Sequence, residues 1–251
     1  MDLIKRRIAF LYRCILFLVC FWCLYLNSGL AQGEFQPTMF IFFTIISNLA
    51  CFLFVLLLII NSATTLTKQS NIVLADNERN IDRGTGFSRF LSRIRGAVTM
   101  MITVTFLIYH FLLVPQLAVV SGDFNPFGLQ NVLAHYVVPA MIILDWLIFS
   151  NKNAFRRFDP LLWLLIPLAY FAFTIIRAQI GGPISLNGSQ YPYFFIDVDA
   201  LGIAQVSINA VLVLLFFALI AYLIYFIDKF HLQDDCIYFG QRKLFGKKEK
   251  G

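Results

Sequence analysis

Six stretches of the chain are almost uninterrupted in apolar side chains, with short polar or Gly/Pro-broken stretches between them: 8–26, 37–60, 97–114, 129–149, 161–180 and 201–227. None alternates with the period of two that a barrel strand needs. Each is close to the roughly 20 residues that cross about 30 Å of hydrocarbon as a helix. In lipid, every backbone N–H and C=O must be bonded internally, and a helix does this within one segment. The pattern predicts an all-α fold: an integral membrane bundle of six transmembrane helices, forming a single domain over residues 1–251. The last run is long enough to tilt or to project into water. The first run lacks a small-residue cleavage site after Gly29 and is followed by five more, so it reads as a retained span rather than a signal peptide.

Composition agrees with this pattern. The chain is 59% hydrophobic and 14% charged, against about 25% charged in a soluble domain. Its net charge of +6 is unevenly placed. Lys and Arg occupy the first tail (Lys5, Arg6, Arg7), the 61–96 connection, the fourth connection (Lys152, Arg156, Arg157) and the basic 229–251 tail. The other three connections carry Glu34, Asp123, Asp197 and Asp199 and no Lys or Arg. By the positive-inside rule both termini are cytoplasmic. The charge therefore follows topology and gives no reason to expect a nucleic-acid partner. The five cysteines avoid the outer connections, so no structural disulfide is expected. Cys20 and Cys23 have redox or metal-motif spacing, but inside a span they read as packing.

Two connections have further content. In the cytoplasmic 61–96 connection, Phe87, Phe90, Leu91 and Ile94 fall on one helical face, with Arg89, Arg93 and Arg95 elsewhere around it. This predicts an interfacial helix, or else an extension of the third span. The outer connection 181–200 holds Gly181, Gly182, Pro183, Gly188 and Pro192, which exclude a continuous helix. Its aromatics, Tyr191 and Tyr193 to Phe195, form either an interfacial belt or a lid over the bundle mouth. Asn187-Gly-Ser189 fits a glycosylation acceptor.

Polar groups inside spans are functional candidates. Thr44, Ser47, Asn48 and Cys51 recur at i, i+3, i+4, i+7, so they share one face of the second span. Thr44 lies seven residues in from the outer end, about 10 Å deep. Helix packing is the alternative reading of this stripe. His135 lies six residues into the fourth span, about 9 Å deep. Pro139, four residues on, has no N–H for the His135 carbonyl, so the helix should become irregular there. His110 falls near the outer end of the third span, and Arg177 near that of the fifth. Asp145 is ten residues beyond His135, about 15 Å deeper. It cannot orient His135, and pairing with basic residues at the cytoplasmic side is the better reading.

A hydroxyl and an imidazole at matched depth are the minimum equipment for a nucleophile and its base. A Thr hydroxyl attacks only when a base removes its proton. A low-dielectric surround keeps an imidazole neutral, which suits that base. The oxyanion needs placed donors, for which Asn48 and His110 are candidates. Ser47 and Tyr191 are further candidates to bind substrate, and Arg177 to hold an anionic headgroup. An ester fits best, because its leaving group needs less acid assistance than an amine. Apolar walls point to a lipid or fatty acyl ester.

The segments Phe43-Thr44-Ile45-Ile46-Ser47-Asn48, Leu133 to Pro139, Asp145-Trp146 and Tyr191-Pro192-Tyr193-Phe194 resemble the androgen-induced-gene and androgen-dependent-TFPI-regulating-protein family, most of all its bacterial members. The resemblance covers most of the six spans and rests on the order and spacing of short motifs. It implies a membrane-embedded threonine hydrolase acting on fatty acid esters of hydroxy fatty acids, with Thr44 as nucleophile and His135 as base. No cofactor or metal is implied. The expected location is a multi-pass place in a membrane, the plasma (inner) membrane if the source is bacterial, with the site toward the extracytoplasmic leaflet. The chief alternative is a transporter or channel lined by His110, His135, Asp145 and Arg177. A metal site on His110 and His135 lacks further ligands at that depth.

Overall fold

The computed structural model describes residues 3–72, 86–120, 125–150, 152–184 and 188–230. Nine α-helical segments are found among them: α1 (Leu3–Asn27), α2 (Phe43–Ile72), α3 (Gly86–Ile108), α4 (Val114–Val120), α5 (Leu129–Val132), α6 (Val138–Phe149), α7 (Asp159–Trp163), α8 (Leu165–Ile180) and α9 (Val198–Phe230). No strand occurs among the described residues. Joined end to end, they make six helices long and apolar enough to cross a membrane: Arg6–Asn27, Phe43–Thr64, Phe90–Val119, Leu129–Phe149, Asp159–Ile180 and Val198–Lys229.

Their outward faces explain the composition. Ile4, Ile8, Leu11, Ile15, Leu18 and Trp22 form an exposed stripe along α1, and Ile208, Leu212, Leu215, Leu219, Leu223 and Phe226 form another along α9. Water-facing helices place charge in such stripes, and exposed apolar runs of this extent need lipid or a partner. The inward faces are smaller and closely packed. Leu16, Cys20, Cys23 and Cys51 join Phe54, Val98, Ile102 and Ala134 in one core between α1, α2 and α3 and the fourth span. The Cys20/Cys23 pair is thus part of the packing. A second core sets Met100 and Val104 of α3 against Trp146, Trp163 and Phe217. Gly96 lies where α3 meets Trp163, with no room there for a Cβ.

Two boundaries differ from the sequence expectation, and a third point, left open between two readings, takes the extension of the third span. The second span does not begin at Pro37. Residues Pro37–Ile41 form a 3-10 turn, Phe42 is extended, and α2 starts at Phe43. Proline suits the start of such a turn, and the Phe42 carbonyl then accepts the N–H groups of Ile45 and Ile46. Residues 86–95 do not form a separate interfacial helix. They are the first turns of α3, with Leu91 and Arg95 buried. The fifth span is broken at Leu164, three residues before Pro167, which has no N–H for the Trp163 carbonyl. The Arg79 and Arg83 positions, Asn187, Cys236 and the tail beyond Phe230 lie outside the described residues.

Two helices carry the same irregularity. Tyr109–Leu113 and Leu133–Val137 are π-helical turns, linking α3 to α4 and α5 to α6. Each is followed, two residues later, by a proline: Pro115 and Pro139. A proline cannot donate, and its ring crowds the carbonyl four residues back. The ladder slips by one residue instead, so Val114 bonds Tyr109 and Val138 bonds Leu133. Such single π turns often mark functional positions in helices.

One end of the bundle is clamped by ions. Asp145 accepts Arg13 Nε at 2.8 Å and faces Arg95 Nη1 at 3.3 Å, as expected from its depth. Arg13 also donates to Ser62 at 2.9 Å. Arg93 forks onto Asp159, which further accepts the Arg156 N–H. Asp228, near the end of α9, accepts the N–H groups of Ala154 and Phe155 at 2.8 and 3.2 Å. The start of α1 and the end of α9 lie at this end of the bundle.

Candidate active site

At the opposite end, Thr44 occupies the second residue of α2. Its Oγ1 lies 3.2 Å from His135 Nε2. This contact fixes relative depth: α2 starts level with the second turn of the fourth span, and residues 37–42 fill the layer above it. His135 is 7% exposed, while Thr44 is only partly buried.

The imidazole is oriented by main chain. Its Nδ1 is 3.1 Å from the Asn131 carbonyl oxygen. A carbonyl only accepts, so Nδ1 carries the proton of the neutral ring, and Nε2 is left as acceptor for the Thr44 hydroxyl. Tyr109 stacks on the ring face, with centroids 3.5 Å apart and planes 10° from parallel. The Tyr109 hydroxyl donates to the Pro126 carbonyl at 3.1 Å. The two π turns thus meet face to face, one supplying the imidazole and the other the plate that holds it.

Asn48 and Ser47 brace this arrangement. In the π turn, Val138 N–H goes to Leu133, and the residue five beyond Ala134 is Pro139. The Ala134 carbonyl is taken by Asn48 Nδ2 at 3.1 Å. The same amide also donates to the Thr44 carbonyl at 2.8 Å, and its Oδ1 accepts the Cys23 thiol. Both amide hydrogens face carbonyls, so Asn48 has no free donor for an oxyanion. Ser47 Oγ donates to the Thr44 carbonyl at 2.9 Å and meets Thr105 Oγ1 at 2.9 Å, tying α2 to α3.

No protein-family model, curated protein or solved structure matches this chain. What the arrangement does chemically therefore rests on its geometry.

The remaining sequence candidates lie elsewhere. His110 is exposed, with Nδ1 3.0 Å from the Tyr136 hydroxyl. It shares no partner with His135. Arg177 Nη1 donates to the Gln190 carbonyl at 3.0 Å, and its guanidinium covers Gly181. Tyr191 is buried with Ala178, Ile196 and Val206 at the base of the outer loop. Asp145 is engaged with Arg13 and Arg95. Among the described residues no cluster of three His, Cys, Asp or Glu side chains has the geometry to hold a metal.

Two aromatic residues from the other half of the bundle reach the start of α2 instead. Tyr170 of α8 receives the Phe43 N–H at 3.2 Å and donates to the Ile41 carbonyl at 2.9 Å. Tyr193, in the 181–200 connection, faces the Thr44 and Tyr170 hydroxyls and the N–H groups of Phe43 and Thr44. Burial pushes its phenol above the ordinary range, so it keeps its proton. The loop that carries it is folded onto the bundle. Ser189 donates to Asp197 at 2.7 Å, Asp197 caps the Ala200 N–H at 3.0 Å, and Asn209 donates to the Phe195 carbonyl at 2.8 Å.

Thr44 also borders an apolar cavity that is open at its mouth. Its walls come from α3, α8, α9 and the outer loop, including Val104, Phe171, Val213 and Phe217. No charged side chain lines it, and its polar groups are those of Thr44, Thr105, Tyr170 and Tyr193. His135 stands behind Thr44, outside this lining. The threonine hydroxyl is the meeting point of an apolar chamber and a base.

Proposed function

We propose that the chain is a membrane-embedded lipid-ester hydrolase with Thr44 as nucleophile and His135 as general base. The observation that carries this reading is the 3.2 Å approach of Thr44 Oγ1 to His135 Nε2 at the wall of an uncharged cavity. Nucleophile and base stand at the separation such pairs use. The base has its tautomer set by a second partner, as in hydrolytic triads, with the Asn131 carbonyl in the place of the usual carboxylate.

In the proposed reaction, His135 Nε2 takes the Thr44 proton as Oγ1 bonds to the ester carbonyl carbon. The carbonyl π pair moves onto its oxygen. Collapse breaks the bond to the alcohol oxygen, which leaves with the proton from His135. Water, activated by the same imidazole, then attacks the acyl-threonine, releasing a carboxylic acid and restoring Thr44. The cavity takes an aliphatic chain, since a charged or strongly hydrated group would find no partner there. A fatty acid ester of a hydroxy fatty acid, the substrate class implied by the family resemblance, meets this requirement through its acyl chain, with its free carboxylate held outside the cavity. The Lys/Arg pattern supports cytoplasmic termini, and with them a Thr44 end in the extracytoplasmic leaflet.

The test is hydrolysis of a long-chain acyl ester by detergent-purified protein. The wild type is expected to release fatty acid, and Thr44→Ala to release none above background. Full activity in Thr44→Ala contradicts the reading.

A further inference from the structure

We propose that the Tyr193 hydroxyl, presented by the outer loop, is the side-chain donor to the oxyanion formed at Thr44, with the Thr44 N–H as its main-chain counterpart. The inference rests on the hydrolase reading and adds a catalytic residue to it.

The donors considered from sequence do not serve. Asn48 has both amide hydrogens on carbonyls, and His110 faces Tyr136. The Tyr170 hydroxyl spends its single hydrogen on the Ile41 carbonyl. Tyr193 is different. Its ring lies beside Tyr170 and edge-on to Phe42, and it lines the cavity with Thr44. Its hydroxyl faces the hydroxyls of Thr44 and Tyr170 and the first N–H groups of α2, so it stays at the Thr44 side of the cavity while Tyr170 is turned to Ile41.

Those N–H groups are the second part of the argument. The opening N–H groups of a helix have no partner within it. Of the first four in α2, those of Ile45 and Ile46 go to the Phe42 carbonyl and that of Phe43 goes to Tyr170. The Thr44 N–H is left facing Tyr193 on the cavity side. The positive end of a 30-residue helix is directed at the same point. An ester whose carbonyl carbon is within bonding reach of Thr44 Oγ1 brings its carbonyl oxygen between the Thr44 N–H and the Tyr193 O–H. When Oγ1 adds, the negative charge forms on that oxygen, and both donors strengthen as it does. They relax when the carbonyl is re-formed and the alcohol leaves with the His135 proton. The loop is held for this task at its base, by Arg177 on Gln190 and Ser189 on Asp197.

The experiment compares kcat and KM for one long-chain acyl ester in wild type, Tyr193→Phe and Tyr170→Phe. Loss of an oxyanion donor costs about 10²–10³ in kcat. Tyr193→Phe is expected to show that loss with KM little changed, and Tyr170→Phe a much smaller one. A series of fluorinated tyrosines at position 193 preserves ring shape while making the O–H a stronger donor. The rate should follow phenol acidity across the series. A kcat for Tyr193→Phe within about threefold of wild type, or a flat fluorotyrosine series, overturns the inference while Thr44→Ala remains inactive. Activity in Thr44→Ala removes the hydrolase reading and the inference with it.

Discussion

At the end of the bundle where Thr44 lies, polar side chains meet as neutral donors and acceptors. At the opposite end, Arg13, Arg95 and Asp145 meet as charges, as do Arg93 and Asp159. The ionic end pairs its charges: Asp145 holds two guanidinium groups at once, and Asp159 combines a forked arginine with a main-chain N–H. The neutral end satisfies its bracing groups, Asn48 and Ser47, and brings one hydroxyl and one phenol to a cavity, with an imidazole nitrogen behind the hydroxyl. An ion pair buried in hydrocarbon is costly to disturb, so it suits a clamp. A neutral pair gives up a proton without creating an unpaired charge beforehand, so it suits chemistry. On the proposed reading, the difference separates the half of the molecule that holds shape from the half arranged to react.

That division predicts which substitutions act on rate and which on stability. The largest effect is expected from His135→Ala: a loss of about 10⁴-fold or more in ester hydrolysis, of the order seen when a catalytic base is removed, with folding little changed. The measurement is steady-state hydrolysis beside thermal unfolding in detergent. A variant that unfolds early but is fully active when folded would place His135 with the clamp instead. Next comes Asp145→Ala, which leaves Arg13 and Arg95 buried without their counter-charge. It should cost about 3–5 kcal/mol of stability, read as a lowered unfolding midpoint, while the folded fraction keeps its specific activity.

Asn48→Ala falls between the two regions. It strands the Thr44 and Ala134 carbonyls, at about 1–3 kcal/mol. Because those carbonyls belong to the helices carrying the proposed nucleophile and base, a lowered kcat should accompany the lost stability. Arg177→Ala is expected to be the mildest, reducing kcat by about tenfold or less through a looser loop around Tyr193. An effect of Arg177→Ala confined to KM would instead favour a direct contact with substrate.

The spans and the approach of Thr44 to His135 were legible in the sequence because hydropathy and helical rise are properties of residue type and spacing. Asp145 was legible for the same reason: its depth left only the basic end to pair with. The beginning of α2 was not, since residues 37–42 are as apolar as the helix they precede, and hydropathy does not register an extended Phe42. Pro139 announced an irregularity but not its form. The π turn moves the free carbonyl to Ala134, one residue from the expected His135. The partner orienting His135 was out of reach altogether, since a backbone carbonyl has the same chemistry at every position. Tyr109 and Tyr193 were hidden among 10 tyrosines and 28 phenylalanines. Tyr191 and Tyr193 lie two positions apart in one aromatic run, and only the fold shows that the first packs the loop while the second faces Thr44.

The central claim is that Thr44 is a nucleophile activated by His135. Labelling of the purified protein with a fluorophosphonate that traps serine and threonine hydrolases tests it most directly. One phosphonyl adduct on the peptide containing Thr44, absent in Thr44→Ala and strongly reduced in His135→Ala, is the predicted result. Unchanged labelling of Thr44→Ala, with the adduct on another residue, would contradict it.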